Sequence, residues 1–248
     1  DSRKAGGTGR SDAMILVSIN KSKKEIVSSS LLRDIYLQIP GKGNNRLNAA
    51  YAFGGANLLL DTIEENFKVK VDKYAAVDFY SFMSIVDAVE GVTLEVTKEE
   101  IPIINSYVKE LNKLTGQDES NDFLTEPGLL HLNGKQALGY ARNRYIGSDF
   151  ERTARQRRVL EQVFLKVKSA DLIQINELLN TFLPQVTSNI TEAEVFSLIL
   201  SLPAYSGYEL KQLSIPVKNS YSFMRIEGMS VIGIDFEKNI EVMYNEIY

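Results

Sequence analysis

The stretch Tyr140 to Arg158 reads YARNRYIGSDFERTARQRR and holds Arg142, Arg144, Arg152, Arg155, Arg157 and Arg158. The chain as a whole is acidic, with a formal net charge of -4. A local cationic site in an acidic protein points to one specific anion and not to a general polyanion surface. Arginine suits phosphate because its planar fork offers two parallel hydrogen bonds. Asp149, Arg152 and Gln156 fall at helical intervals and share one face. Asp149 sits near the N-terminus of that helix, where its charge suits the dipole. Arg142 and Arg144 alternate as in an extended segment, so their side chains are expected to point the same way. Two readings stay open. Arg142, Arg144, Arg152, Arg155 and Gln156 fit a bound anion. A solvated helix with salt bridges such as Glu151 to Arg155 fits Arg157 and Arg158.

A second set of groups lies at the start. Asp1 to Asp12 reads DSRKAGGTGRSD, a glycine-rich loop with two carboxylates and with Arg3 and Arg10 between them. No Gly-Lys-Ser/Thr follows, so it is not a Walker loop. Mg²⁺ characteristically takes one or two carboxylates plus substrate phosphate oxygens, which Asp1 and Asp12 could supply. A plain polar loop is the other reading. Arg33 interrupts an apolar run beside Asp34, either as an ion pair at a sheet edge or as a phosphate ligand. Asn48 is placed to cap the helix after it. The single histidine, His131, has no Cys or acidic partners nearby and receives no catalytic role.

These residues carry a resemblance. The pattern YxRxR, then Asp149, then DxxRxxRQ is similar to the LytR-CpsA-Psr family of cell-envelope glycopolymer transferases. The opening D-S-R…G-R-S-D resembles a family segment in which two aspartates hold a divalent metal, Mg²⁺ or Mn²⁺, and an arginine contacts pyrophosphate. The resemblance therefore implies Asp1 and Asp12 as metal ligands and Arg10 as a pyrophosphate ligand. Leu31-Leu32-Arg33-Asp34 is similar to L-P-R-D, whose arginine reaches the phosphate. Arg46 to Gly55 resembles K-[IL]-N-A-A-Y-x-x-G-G, which brings in Asn48. The chain departs from the family at Ala13, usually Thr, and at Leu32, usually Pro.

Membership implies an enzyme that binds a polyprenyl-pyrophosphate-linked glycan, transfers the glycan phosphate to a hydroxyl of peptidoglycan and releases polyprenyl phosphate. It also implies an N-terminal membrane helix, the extracytoplasmic face of a bacterial membrane, Gram-positive by expectation, and an apolar space for the lipid. Arg33, Asp34, Arg142, Arg144, Asp149 and Arg152 are the candidate catalytic residues, with Asp149 or Asp34 as base. A polyprenyl-pyrophosphate hydrolase and a non-catalytic carrier-binding protein remain alternatives. Net negative charge and the lack of a helix-turn-helix pattern speak against nucleic acid.

The elements that must position these groups follow from periodicity. At 248 residues with 44% hydrophobic content, the chain can bury a sizeable core. It has no cysteine, which excludes disulfides, thiolate metal sites and a cysteine nucleophile. No run approaches the roughly 18 apolar residues of a membrane span. Strands are expected at 13–19, 25–30, 35–39, 71–77, 92–96, 208–215 and 231–234, with the segments from Ala13 and Glu25 paired as a hairpin. Helices are expected at 56–67, 79–89, 101–114, 134–138, from Asp149 through the stripe Val159, Leu160, Val163, Phe164 and Val167, and at 172–182 and 191–202. Thr191 with Glu194 reads as a capping box, and Asp235 as the cap of a closing helix. Alternating strands and helices predict an α/β fold, a three-layer α-β-α domain with a mixed central sheet. One domain is expected over 1–248, with an anchor and a first strand ahead of Asp1.

Overall fold

A computed structural model of the chain describes residues 9–170 and 172–248. The expected metal ligand Asp1 lies outside them. The chain runs β1 (Ile15–Asn20), β2 (Glu25–Leu31), β3 (Tyr36–Ile39), β4 (Gly43–Arg46), α1 (Leu47–Phe67), β5 (Ala75–Ala76), α2 (Phe79–Ala88), β6 (Val92–Val96) and α3 (Glu100–Thr115). It continues through β7 (Gly128–Leu132), α4 (Gly134–Arg142), α5 (Asp149–Ser169), α6 (Leu172–Phe182), β8 (Thr187–Ser188) and α7 (Glu192–Ser201). It closes with β9 (Glu209–Ile215), β10 (Tyr221–Ile226), β11 (Met229–Ile234) and α8 (Phe236–Ile247). The fold is mixed α/β. It divides into two compact units, the described residues up to Ala76 with Ser188–Tyr248, and Val77–Thr187.

In the first unit, β1 and β2 form the expected hairpin, Ile15 opposite Ser30 through Asn20 opposite Glu25. β2 then pairs in parallel with β9, Glu25 opposite Glu209 through Leu31 opposite Ile215. With a neighbour on each side, β2 buries Ile26, Val27 and Leu31. Gly41 and Gly43, at φ +67° and +79°, let the chain reverse, so the polar run GNNR pairs with β3 as a strand that periodicity does not announce. A parallel bridge joins Ile35 to Ile232 of β11. α1 is broken at Gly55, whose φ +67° and ψ −157° are open essentially to glycine alone. Phe67 at its end meets Phe236 of α8 at 5.9 Å between ring centroids.

The second unit packs Val86, Val92, Leu94, Val96, Ile104, Val108, Leu132, Tyr140 and Val159 into one core. Burying each such side chain is worth roughly 1.5–3 kcal/mol. α4 lies close on its neighbours because Gly134 and Gly139 carry no Cβ. One would sit 2.4 Å from the Met83 carbonyl oxygen, the other 3.1 Å from that of Ile104. Asn133 and Gln136 form a capping box at the start of α4, and Ser148 and Glu151 form one at the start of α5.

Several expectations are corrected. The single central sheet is drawn instead as one three-stranded mixed sheet, β1-β2-β9, and two-stranded ladders. The strand expected at 71–77 shrinks to Ala75–Ala76. Beside it, Tyr74 spends its N–H on Asn189 Oδ1 and accepts from Ser188 Oγ, so side chains take the place of a ladder. Asn48 does not cap. α1 begins at Leu47 with Arg46 in the cap position, and Asn48 lies buried in its first turn. Arg142 is not extended but ends α4, while Arg144 follows in the loop. Arg157, read as solvated, is buried, and burial, with Arg158 beside it, holds its pKa below the ordinary arginine value. The caps at Thr191 with Glu194 and at Asp235 form as expected.

Candidate active site

In the first unit the turn after β2 places Arg33 and Asp34 side by side. Arg33 Nη1 donates to Asp12 Oδ1 at 2.7 Å, and Arg33 Nε lies 3.6 Å from Asp34 Oδ2. Asp34 Oδ1 in turn lies 3.4 Å from Arg46 Nε. Two carboxylates and two guanidinium groups thus alternate, all partly open to solvent. The start of α1 is tied to the same turn, because Asn48 N–H donates to the Arg33 carbonyl at 3.1 Å and Leu47 N–H to that of Ile35 at 2.8 Å. Three buried polar atoms here have no hydrogen-bond partner: Asn48 Oδ1, Arg33 Nε and Arg46 Nε. Buried polar groups left unsatisfied call for an explanation, and a catalytic role or a bound water or ion are among those open to them. Arg10 is exposed.

In the second unit the arginine block divides its labour. Arg142 stacks between aromatic rings, its guanidinium carbon 4.2 Å from the Phe79 centroid and 4.8 Å from that of Tyr107. Stacking uses the faces of the guanidinium and not its in-plane N–H fork. Arg144 is exposed. Asp149 Oδ1 receives Arg152 Nη2 at 2.7 Å. Gln156 Nε2 reaches the Ala141 carbonyl at 3.4 Å, and its buried Oε1 has no hydrogen-bond partner. Arg155 is directed elsewhere. Its guanidinium meets Glu100 and the carbonyls of Asn143 and Ile146. The suspected Glu151 to Arg155 bridge is absent from these contacts, since Glu151 turns back to Ser148 as the cap.

Sequence reading missed four participants. Arg46 was legible as the basic residue ahead of Leu-Asn-Ala-Ala-Tyr. Phe79 and Tyr107 fall only within the helices expected at 79–89 and 101–114, and the fold reveals a cation between them. Glu100 sits in Lys98-Glu99-Glu100, where nothing local marks which charge is buried.

As a metal site, the described residues supply Asp12, with no cluster of three or more His, Cys, Asp or Glu among them. One carboxylate beside phosphate oxygens is within the habits of Mg²⁺. Asp12 is 38% exposed and so reachable, although it is already engaged by Arg33.

The LytR_cpsA_psr family model matches residues 1–246. The chain belongs to that family. It is 32% identical over 220 residues to "Regulatory protein MsrR" of Staphylococcus aureus (strain COL), covering 87% of this chain and 62% of that protein. It is 35% identical over 168 residues to the "Polyisoprenyl-teichoic acid--peptidoglycan teichoic acid transferase TagU" of Enterococcus faecalis, covering 66% and 50%. It shares its fold with the Bacillus subtilis family protein YwtF (TagT), solved with bound octaprenyl pyrophosphate lipid, at TM-score 0.73 and 23% identity over 97% of this chain and 86% of that one. The chain thus spans between half and two thirds of the length of MsrR and TagU. Among the described residues, no helix is long and apolar enough to cross a membrane.

Proposed function

We propose that this chain is the catalytic part of a phosphotransferase that moves a glycopolymer, of teichoic acid or capsular polysaccharide type, from a polyprenyl-pyrophosphate carrier to peptidoglycan. One observation carries the reading: in a chain of this family, Arg33 and Arg46 alternate with Asp12 and Asp34 at ion-pair distance, beside the buried Asn48 Oδ1, which has no hydrogen-bond partner. The relatives support it, since TagU is named for this transfer and the YwtF structure holds a prenyl pyrophosphate.

In this reading Arg10, Arg33 and Asn48 are the phosphate ligands of the first unit. In the second unit, taken by itself, Arg142, Arg144, Arg152 and Gln156 are the candidate phosphate ligands. Each charge-assisted hydrogen bond is worth roughly 1.5–3 kcal/mol. Asp34 orients Arg33 and Arg46. Asp149, held by Arg152, is the carboxylate that takes the proton of the acceptor hydroxyl. That hydroxyl oxygen bonds to the phosphorus bearing the glycan, the bond from this phosphorus to the bridging oxygen breaks, and polyprenyl phosphate leaves. Positioned arginines lower the barrier by neutralising charge as it builds on the phosphoryl oxygens. Asp12, with Asp1, would hold Mg²⁺ or Mn²⁺, which supplies further charge neutralisation at phosphate. The working protein sits at the extracytoplasmic face of the membrane of a Gram-positive bacterium, carried there by an N-terminal helix.

The test is a reconstitution with polyprenyl-pyrophosphoryl glycan, Mg²⁺ and a peptidoglycan oligomer. The expected result is a glycan–peptidoglycan conjugate, reduced in Arg142→Ala. No conjugate, or an Arg142→Ala protein that behaves identically, overturns the proposal. Phosphate release indifferent to added acceptor would make the protein a hydrolase. Tight carrier binding without turnover, surviving Asp12→Ala, would make it a binding protein.

A further inference from the structure

We propose that Arg155, braced by Glu100, is a positioning residue that sets the loop carrying Arg144 and does not itself bind phosphate. The inference rests on the reading above, in which Arg144 is a pyrophosphate ligand.

Arg155 Nη2 donates to the carbonyl of Asn143 at 2.8 Å and to that of Ile146 at 2.9 Å. Those two carbonyls bracket Arg144 and Tyr145, so one guanidinium grips the loop on both sides of Arg144. Its other terminal nitrogen, Nη1, lies 3.4 Å from Glu100 Oε1. Glu100 is fixed in turn, because its second oxygen accepts the Thr97 N–H at 3.0 Å. The grip continues inside the loop, where Asn143 Oδ1 accepts the N–H groups of Tyr145 at 3.0 Å and Ile146 at 3.2 Å.

Burial alone does not set the role, since Arg152 is as buried as Arg155; the carboxylate and two loop carbonyls that Arg155 meets do. Arg155 is 4% exposed and Glu100 5%, whereas Arg144 is exposed. Reaching a phosphate would require Arg155 to leave a carboxylate and two carbonyls at once. Serving three acceptors from one plane is what a guanidinium can do and an ammonium cannot, so lysine should keep the charge and lose the grip. A ligand displaced by about 1 Å can cost about 10²-fold in rate.

The experiment measures backbone amide exchange over residues 143–148 and glycan transfer in Arg155→Lys, Glu100→Gln, Arg144→Ala and the Arg155→Lys/Arg144→Ala double variant. In Arg155→Lys the Tyr145 and Ile146 amides are expected to exchange faster while α3 and α5 keep their protection. Transfer at saturating carrier should fall by about 10²-fold. The double variant should be no slower than Arg144→Ala alone, because residues acting through one another are non-additive. Glu100→Gln should move both readouts the same way by less, and it carries the comparison if Arg155→Lys does not fold. Unchanged loop exchange, or losses that multiply in the double variant, overturns the proposal. If the wild-type protein transfers nothing, the functional reading falls by itself, and loop exchange still decides whether Arg155 is a strut.

Discussion

Asp149 Oδ1 and Arg152 Nη2 lie 2.7 Å apart across three residues of α5, with Arg152 only 2% exposed. A buried guanidinium depends on such a partner, because removing one member of a buried pair strands the other. Asp149→Ala should therefore destabilise the protein by roughly 3 kcal/mol, the low end for buried pairs since Asp149 keeps some solvent access. Asp149→Asn retains an acceptor and should cost less. Urea unfolding midpoints check both, and equal stability of Asp149→Ala and wild type would remove the pair from any supporting role.

The stack of Arg142 on Phe79 predicts a specific loss. Phe79→Leu keeps an apolar residue at the start of α2 and removes the ring face, worth about 0.5–2 kcal/mol. The expected result is a higher KM for the lipid carrier. Tyr107→Phe keeps the second ring and removes only a long hydroxyl contact, 3.4 Å, to the Arg142 carbonyl. Its transfer kinetics should stay within about twofold, the scale of a weak hydrogen bond.

Asp12 gives a metal test. Chelation with EDTA should stop transfer, and Mg²⁺ or Mn²⁺ should restore it. Asp12→Asn should shift the Mg²⁺ concentration for half-maximal rate upward, since a neutral amide is a poorer ligand for a hard cation. An unshifted Mg²⁺ titration in that variant would take Asp12 out of the metal site.

Glu151 gives α5 a pH dependence. Hydrogen bonds from the Ser148 hydroxyl and backbone N–H hold its carboxyl below the usual glutamate value. The folded pKa is thus depressed. The contribution is fully present above the unfolded value of about 4.3 and is lost as pH falls through the folded one. The first turn of α5 should loosen only in acid, and Glu151→Gln should flatten that dependence. Amide exchange at the start of α5 between neutral and acid pH reads the effect, and identical acid profiles for the two proteins would refute it.

What was legible in the chain was what spacing alone decides. Asp149 to Arg152 and Thr191 to Glu194 are separated by three residues, and a helix brings such pairs together wherever it packs, whereas the Ser148 to Glu151 box was passed over for a Glu151 to Arg155 bridge. The β1–β2 hairpin was legible for the same local reason. Arg155 was not, because helical periodicity gives a face but not what that face meets, and its acceptors come from residues 100, 143 and 146. Arg142 was misread as extended because two arginines spaced by one residue look alike in a strand and at a helix end. The parallel partner of β2 lies far down the chain, beyond any window over which periodicity acts. The arginine ladder around Arg33 was half visible, with Arg33 and Asp34 adjacent in sequence and Arg46 brought in by the β3–β4 turn.

The pairing of β2 with β9 also bears on how the protein is made. A nascent chain emerging from the ribosome has β1 and β2 long before residues 209–215 exist, so the strand leading to Arg33 must wait with one edge open. The unit 77–187 has all its own elements by then. Assembly of the Arg33 turn is thus a late event in synthesis. Premature stops between residue 187 and β9 should leave the edge of β2 that β9 would cover open, an aggregation-prone strand edge.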